Sequence, residues 1–336
     1  MAKALLMILV VLGHSCLFFS GSWISSVSPV FVNKYLGCFA IWLNSFHIYA
    51  FVLISGYLFY YLKYEISNPK YHNIYLLILA KSKRLLFPLI FFSALWVIPL
   101  SFIFGVFGEN TDIIKKFLLG YSPSQLWFLL MLFWVFILAY FFSTLWVKDI
   151  LFATLIAISF YFIGVVGISF VGSYFQFFPA CIYLLLFFVG FKMRQNVKFQ
   201  TVLLKIPMLI YFFVDITLFV ILTLLNQYEF YMKSVIITLG YMLLRVWGGA
   251  GAFVVLCKMI QKVRVIRAIA SRMQKYSMSV YLLHQQVIYA VIFFLNGRIC
   301  SYAHALLNFV ISIALSIVIS EFLLKFRLCR LLMGEK

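Results

Sequence analysis

The sequence predicts an all-α, polytopic integral membrane protein with about ten transmembrane helices. Of its 336 residues, 66% are hydrophobic and 10% are charged, which leaves too little polar surface for a water-soluble fold of this size. The apolar runs are continuous rather than alternating, as membrane helices require and barrel strands do not. The basic residues gather between alternate apolar runs, the distribution typical of a multi-pass protein.

The individual spans follow from apolar windows of about 20 residues, the length that crosses a bilayer as a helix. The connections between them are short, and the sequence shows neither a clear repeat nor an appended soluble region. We therefore expect residues 1–336 to form a single transmembrane domain. The predicted spans lie near residues 4–20, 40–62, 85–104, 126–142, 150–168, 173–191, 206–225, 234–256, 278–296 and 305–324.

The basic residues predict the orientation of the spans. With a cytoplasmic N-terminus, 21 of the 27 Lys and Arg residues fall in cytoplasmic segments, five fall on the other side, and Arg245 falls within a span. This asymmetry follows the positive-inside rule and places both termini in the cytoplasm. Anionic lipid headgroups beside these loops account for the net charge of +19, so we expect no nucleic-acid partner. The six scattered cysteines predict no metal site.

The first span carries Lys3 at its start and His14 in its middle. Eleven residues separate them, which is about three helical turns, so both side chains share a face with a rise of ~16 Å. His14 would then lie near the centre of a ~30 Å hydrocarbon core. An ionisable group at that depth faces protein or a water-filled cavity. The alternatives are an interhelical structural histidine and, for Lys3, an interfacial anchor that snorkels.

A second basic cluster, in the stretch "AKSKRLLFPL", precedes the third predicted span. Lys81 and Arg84 are three residues apart and on a helix would point roughly the same way. Together with Lys3 they could form a cationic site at the cytoplasmic interface that binds phosphate groups. The alternative interpretation is a further set of topology charges, followed by a proline that a membrane helix tolerates.

Four other polar residues in the spans have both a substrate-binding and a structural interpretation. His47, in the outer half of the second span, could line an acceptor entrance or make a structural hydrogen bond. Ser55 could contact substrate, although close helix packing together with Gly56 is the usual role of small residues in membranes. Trp127 could stack on a sugar or be an interfacial tryptophan. His284 could support the site or serve the fold alone.

Arg245 lies in the middle of the eighth span and Asp215 at a similar depth in the seventh. A buried ion pair between them is one interpretation of the two charges. The other is that Arg245 polarises a bound substrate.

Several of these residues fall in short blocks whose order resembles the membrane-bound acyltransferase family 3. Lysine stands at Lys3 and Lys81 where the family usually has arginine, which keeps the charge but loses the bidentate fork. The resemblance covers essentially the whole chain. The blocks are Lys3-x10-His14, "FHIYAFVLISGYLF" at Phe46–Phe59, Lys81-Ser-Lys-Arg84 with Pro88, "QLWFLLML" at Gln125–Leu132 and "SMSVYLLHQ" at Ser277–Gln285.

This resemblance implies an O-acyltransferase that moves an acetyl or other short acyl group from cytoplasmic acyl-CoA to a hydroxyl. The implied acceptor is a cell-surface polysaccharide or its lipid-linked precursor, reached from a bacterial inner (cytoplasmic) membrane. The family histidine maps to His14, and its CoA-contacting basic residues map to Lys3, Lys81 and Arg84. Acetyl-CoA is then a substrate, we expect no tightly bound cofactor, and the partners are acyl-CoA, the glycan acceptor and membrane lipids.

The ~16 Å between Lys3 and His14 is close to the reach of an extended phosphopantetheine arm. A neutral imidazole at His14 could take a proton from the acceptor hydroxyl near neutral pH. A covalent acyl-enzyme is the second mechanism, but Ser15 points about 100° away and Cys16 has no evident activation. The alternative function is a polysaccharide or small-molecule transporter, since transporters also place ionisable residues in mid-membrane.

Overall fold

The computed structural model describes residues 1–24, 26–107, 112, 116–117, 119–121 and 124–334, and no strand occurs among them. The α-helices are α1 (Ala2–Leu17), α2 (Lys34–Asn44), α3 (His47–Tyr60), α4 (Ile74–Lys81), α5 (Phe87–Phe92), α6 (Ile98–Ile103), α7 (Trp127–Lys148), α8 (Ile150–Phe170), α9 (Phe177–Gln195), α10 (Val197–Lys205), α11 (Met208–Leu225), α12 (Lys233–Lys262), α13 (Arg264–Gln274), α14 (Ser277–Leu295), α15 (Ser301–Leu323) and α16 (Arg327–Leu332).

Ten helical segments of the described chain are long and apolar enough to cross a membrane, which confirms the predicted fold class and number of spans. All but one of the predicted boundaries lie within six residues of the observed ones. The segments are Ala2–Ser20, Lys34–Glu65, Ile74–Ile103, Ser124–Lys148, Ile150–Phe170, Tyr174–Gln195, Met208–Leu225, Lys233–Lys262, Ser277–Leu295 and Ser301–Leu323.

The exception is the third span, Ile74–Ile103, which begins well before the predicted residue 85. Lys81 and Arg84 therefore lie within the helical segment rather than in a loop before it. A 30-residue segment is about 45 Å long, which exceeds a ~30 Å hydrocarbon core. Residues 85–103 nearly span that core by themselves, so the part before them, apolar from Ile74 to Ala80 and polar from Lys81 to Arg84, can extend past the apolar layer.

The second span is two helices rather than the continuous one predicted. α2 ends at Asn44 and α3 begins at His47. At the break, the hydroxyl and the backbone N–H of Ser45 both donate to the carbonyl of Trp42, at 2.7 and 3.0 Å, so this acceptor at the helix end is satisfied. His47 is consequently the first residue of a helix that starts inside the bundle, not a residue in mid-helix.

Both termini lie at one end of the bundle, which we call the terminal end. The amino group of Met1 donates to Oε1 of Gln274 at 3.1 Å, in the connection between two spans. Gly334 packs against the backbone of Arg84, where a Cβ on the glycine would come within 2.7 Å of the carbonyl oxygen. Two ion pairs, Arg194–Glu65 at 2.6 Å and Lys275–Glu321 at 2.7 Å, lie in the same region.

The closest helix crossing joins α3 and α9 through two glycines. A Cβ on Gly56 would lie 1.9 Å from the carbonyl oxygen of Phe187, and a Cβ on Gly190 would lie 1.9 Å from that of Leu53. The packing role expected for Gly56 is therefore confirmed, and it matches the general use of small residues between membrane helices. With α3 fixed on α9, α1 packs in the space between α2, α3, α14 and α15.

We predict that Gly56→Ala and Gly190→Ala each lower the free energy of unfolding by about 1–3 kcal/mol, because the added methyl group must push the two backbones apart. Thermal unfolding of the detergent-purified protein would measure this. Gly13→Ala is the matched control, since its nearest atom would lie at an ordinary 3.7 Å. Equal stability of all four proteins would contradict the predicted role of the crossing.

Candidate active site

His14 forms a hydrogen-bonded pair with His284. Nδ1 of His14 lies 2.9 Å from Nε2 of His284, and Nδ1 of His284 lies 2.8 Å from the carbonyl oxygen of Val280. A carbonyl only accepts hydrogen bonds, so Nδ1 of His284 carries a proton and, in the neutral ring, its Nε2 accepts. Nδ1 of His14 must then donate. With both rings neutral, the pair leaves Nε2 of His14 unprotonated.

The pair lies inside the protein rather than against lipid. The ring of His14 stacks against those of His284 and Trp23, with centroid distances of 5.2 and 5.6 Å. Tyr289 in turn packs on Trp23 at 5.4 Å. His284 is fully buried, whereas His14 keeps part of its surface accessible. This placement fits a side chain that faces an internal space.

The local fold of α1 explains this position. The helix is uninterrupted from Ala2 to Leu17, so Lys3 and His14 keep one face and a rise of ~16 Å. Gly13 lies beside the break between α2 and α3, where a Cβ on it would be in ordinary contact, 3.9 Å from Cε1 of His47. His47 is completely buried, and its Nδ1 faces the carbonyl of Leu43. Its Nε2 is buried without a hydrogen-bond partner in the described part of the chain.

Two residues outside the predicted site hold α14 in register with α7. Nε2 of Gln125 donates to the carbonyl of Leu282 at 3.0 Å and to Oε1 of Gln286 at 2.9 Å. The hydroxyl of Tyr281 donates back to the carbonyl of Gln125. The sequence signal for these contacts was only that Gln125 and Tyr281 sit in the blocks "QLWFLLML" and "SMSVYLLHQ", which the fold brings together beside His284.

Lys3 is tied to Ser55 rather than free. Its Nζ donates to Oγ of Ser55 at 2.9 Å, and that hydroxyl donates to the carbonyl of Phe51 at 2.9 Å. Ser55 lies eight residues along α3 from His47, which is about 12 Å toward the terminal end. The structure therefore groups Ser55 with the cation and not with the histidines.

Lys81 and Arg84 do not share the regular helix face that was expected. A π-helical turn begins at Ser82, immediately after Lys81. Lys81 is 8% exposed, and its Nζ donates to the hydroxyl of Tyr71 at 3.0 Å and lies 3.5 Å from the ring centroid of Phe136. Arg84 is exposed. The three charges nevertheless form one group, because Lys81 is in electrostatic range of both Lys3 and Arg84.

Tyr71 lies in the connection between the second and third spans and helps to hold this group. Burial raises the pKa of its hydroxyl, so the hydroxyl stays neutral and can accept the hydrogen bond from Lys81. The group is thus built from charges of one sign, without a carboxylate bonded to any of its three members among the described residues. Such an arrangement suits an anionic ligand.

Trp127 and Arg245 lie at two ends of an aromatic row. The ring of Trp127 is 5.9 Å from that of Tyr183, which stacks on Tyr49 at 4.9 Å. The guanidinium of Arg245 lies 5.2 Å from the Tyr49 ring centroid, and its Nη1 donates to the hydroxyl of Tyr161 at 2.9 Å.

The interpretation of Arg245 and Asp215 as a buried ion pair is wrong. Oδ2 of Asp215 accepts from the indole of Trp42 at 2.9 Å, and its Oδ1 is buried without a partner in the described regions. The two side chains point in different directions: the carboxylate of Asp215 occupies the space that Gly248 leaves open, where a Cβ would lie 2.5 Å from Oδ1. Arg245, nearly one turn earlier on α12, instead extends toward Tyr161 on α8.

The predicted site residues thus fall into three neighbouring groups. The histidine group contains His14, His284 and His47, and the cationic group contains Lys3, Lys81 and Arg84. Arg245 and Trp127 belong to the aromatic row. No cluster of His, Cys, Asp or Glu that could hold a metal ion occurs in the described chain. Chemically, the arrangement offers one imidazole nitrogen free to take a proton and, ~16 Å along α1, cations for an anionic ligand.

One of three comparisons with known proteins gives a match. A family model described as an acyltransferase domain matches residues 1–324. No curated protein and no solved structure matches the chain.

We predict that His14 carries its proton on Nδ1. In protein labelled with ¹⁵N-histidine, solid-state NMR should show the signals of an Nδ1–H tautomer for the resonance that disappears in His14→Asn. In His284→Ala this resonance should shift toward a mixture of both tautomers, because the acceptor for Nδ1–H is lost. His72→Asn, outside the spans, is the control. An Nε2–H tautomer for His14 in the unmodified protein would contradict the direction of the hydrogen bond.

Proposed function

Because the matching model covers residues 1–324, the chain belongs to the membrane-bound acyltransferase family 3 and is a membrane acyltransferase, and we propose that its donor is acyl-CoA. The acyl group is acetyl or another short chain. The acceptor is a hydroxyl of a cell-surface polysaccharide or of its lipid-linked precursor. The observation that carries the proposal is the free Nε2 of His14, held by His284 ~16 Å along α1 from a group of cations.

The donor binds first at the cationic group. Arg84 is exposed and presents a planar fork to the phosphates of CoA, while Lys3 is held in place by Ser55. Lys81 is buried behind them and contributes its positive charge rather than a direct contact. The phosphopantetheine arm then extends along α1 and brings the thioester close to His14.

His14 acts as the general base. Its Nε2 takes the proton of the acceptor hydroxyl as that oxygen attacks the thioester carbonyl. The carbon–sulfur bond breaks, the thiolate of CoA leaves, and the proton passes from His14 to the sulfur. The products are the O-acyl ester and CoA. His284 keeps Nδ1 of His14 as the donor throughout, so that Nε2 is the nitrogen that gains and loses the proton.

Direct transfer to the acceptor is favoured over a covalent acyl-enzyme. The hydroxyl of Ser15 is fully buried and donates to the carbonyl of Val11 at 2.7 Å. Cys16 is 4% exposed and has no basic partner among the described contacts. Neither nucleophile is placed next to a base as covalent catalysis requires.

The acceptor side of the site includes His47 and Trp127. The unpartnered Nε2 of His47 can bond to a sugar hydroxyl, and the partly buried ring of Trp127 offers a stacking surface. Both lie toward the end of the bundle opposite the termini. With the terminal end in the cytoplasm, acyl-CoA enters from inside and the acceptor from the other side of a bacterial inner membrane.

We predict that His14→Ala lowers acyl transfer by about 10²–10⁴-fold, because the acceptor loses its general base. Membranes would be given labelled acetyl-CoA and the candidate polysaccharide at equal expression. CoA binding should be unchanged in the same variant. Ser15→Ala is the matched control and should keep its activity. Undiminished transfer by His14→Ala would remove this histidine from the chemistry, and loss in Ser15→Ala would favour an acyl-enzyme.

We further predict that Lys3→Ala and Arg84→Ala each raise the KM for acyl-CoA by about tenfold and change kcat little, since each removes a charge-assisted contact to phosphate. The affinity of the unmodified protein should also fall as salt is added. Lys198→Ala, which removes an exposed charge from α10 at the terminal end, is the control. Unchanged CoA affinity in both variants would exclude the cationic group as the donor site.

A further inference from the structure

We propose that Arg245, together with Tyr49, Tyr161 and Tyr183, binds an anionic group of the acceptor, a carboxylate or a phosphate. The inference rests on the proposed function, because it names the class of acceptor that the enzyme modifies. Its observation is independent of the histidine pair: a partly buried guanidinium within a span has tyrosines around it and no carboxylate partner among the described residues.

No carboxylate of the described residues forms an ion pair with Arg245. Its one direct hydrogen bond in the described chain goes to the neutral hydroxyl of Tyr161. None of the three ion pairs among the described residues includes Arg245, and the carboxylate of Asp215 bonds to Trp42 instead. A guanidinium has five N–H donors, so several remain for a ligand. Unbalanced charges at this depth mark substrate pathways in membrane proteins.

The tyrosines around Arg245 can stabilise both its guanidinium in the empty site and an anion bound to it. The guanidinium lies near the rings of Tyr49 and Tyr241, with centroid distances of 5.2 and 5.6 Å, which lowers the energy of the empty site through cation–π attraction. The hydroxyls of Tyr49, Tyr161 and Tyr183 are all in electrostatic range of Arg245. Hydroxyls can rotate to donate to an arriving anion, whereas a fixed carboxylate would repel it.

The location connects this site with the histidine pair. Tyr49 is two residues after His47 on α3, and the row from Tyr49 through Tyr183 ends at Trp127. Trp127 follows Gln125, whose side chain bonds to the segment of α14 that carries His284. An extended acceptor whose hydroxyl lies at His14 could therefore place an anion farther along its length at Arg245.

Because the residue is an arginine rather than a lysine, we expect a ligand group that accepts hydrogen bonds through two oxygens. The planar fork bonds a carboxylate or phosphate through two parallel contacts, which an ammonium cannot reproduce. A uronic-acid carboxylate and the phosphate of a lipid-linked sugar share this chemistry. The two sources differ in the distance between anion and sugar ring, and a binding experiment can separate them.

The test measures thermal stabilisation of the detergent-purified protein by three probes at equal millimolar concentration. These are methyl glucuronide, glucose 1-phosphate and the neutral methyl glucoside. A ligand that binds only the folded state raises Tm according to its affinity. We expect at least one anionic probe to raise Tm and methyl glucoside to have little effect. The stronger anionic probe identifies the source of the anion.

The variants decide whether Arg245 is responsible. In Arg245→Gln the stabilisation should be lost, since affinity should fall by about 10- to 100-fold, and in Arg245→Lys it should be partial. Arg298→Gln removes an exposed charge toward the same end and should behave like the unmodified protein. Stabilisation of Arg245→Gln by acetyl-CoA reports that the variant is folded.

Absence of stabilisation by both anionic probes would overturn the inference, as would equal stabilisation of Arg245→Gln. Neither measurement uses acyl transfer. A protein that binds the anions through Arg245 but transfers no acetyl group would therefore contradict the proposed function and leave the anion site standing. If Arg245→Gln acetylates a neutral glycan normally and the unmodified protein binds neither anionic probe, the proposed function stands and the anion site is contradicted.

Discussion

The hydrogen bond between His14 and His284 is the interaction on which the rest of the site depends. It joins the first helix of the chain to the last third and, with both rings neutral, fixes which nitrogen of His14 is left without a proton. Gln125, which bonds to the backbone of α14 at Leu282, holds the helix that carries His284 in place. If either helix rotated, the protein would still be a ten-helix bundle, but the proton-accepting nitrogen would no longer be defined.

The second determinant is how the bundle uses its many positive charges. Several lysines at the terminal end are already bound by protein oxygens. Lys63 donates to Ser143 at 2.7 Å, Lys258 donates to the carbonyl of Ile206 at 2.6 Å, and Lys192 donates to the carbonyl of Trp146. Against these, Arg84 is exposed and Arg245 has no anionic partner in the described chain. Lys3 is bonded to Ser55 as these lysines are to their partners, so Arg84 and Arg245 are the charges in the two proposed sites that are most available to an anionic ligand.

The sequence was sufficient for the fold class and the number of spans, because apolar length and the spacing of basic residues are local properties. It was also sufficient for the shared face of Lys3 and His14, which depends only on the geometry of one helix. It could not supply the partner of His14, since the contact with His284 joins residues 270 positions apart. The predicted pair of Arg245 and Asp215 failed for the same reason: similar depth does not determine which way two side chains point.

The unbroken α1 also has an evolutionary consequence. One inserted residue between Lys3 and His14 would turn the imidazole about 100° around the helix axis, whereas an insertion of four would nearly restore its direction and displace it by about 6 Å. A substitution within this segment alters one side chain, whereas an insertion or deletion changes the direction in which the ring of His14 points. In related chains, the residues between these two positions should therefore vary far more freely than the number of residues between them.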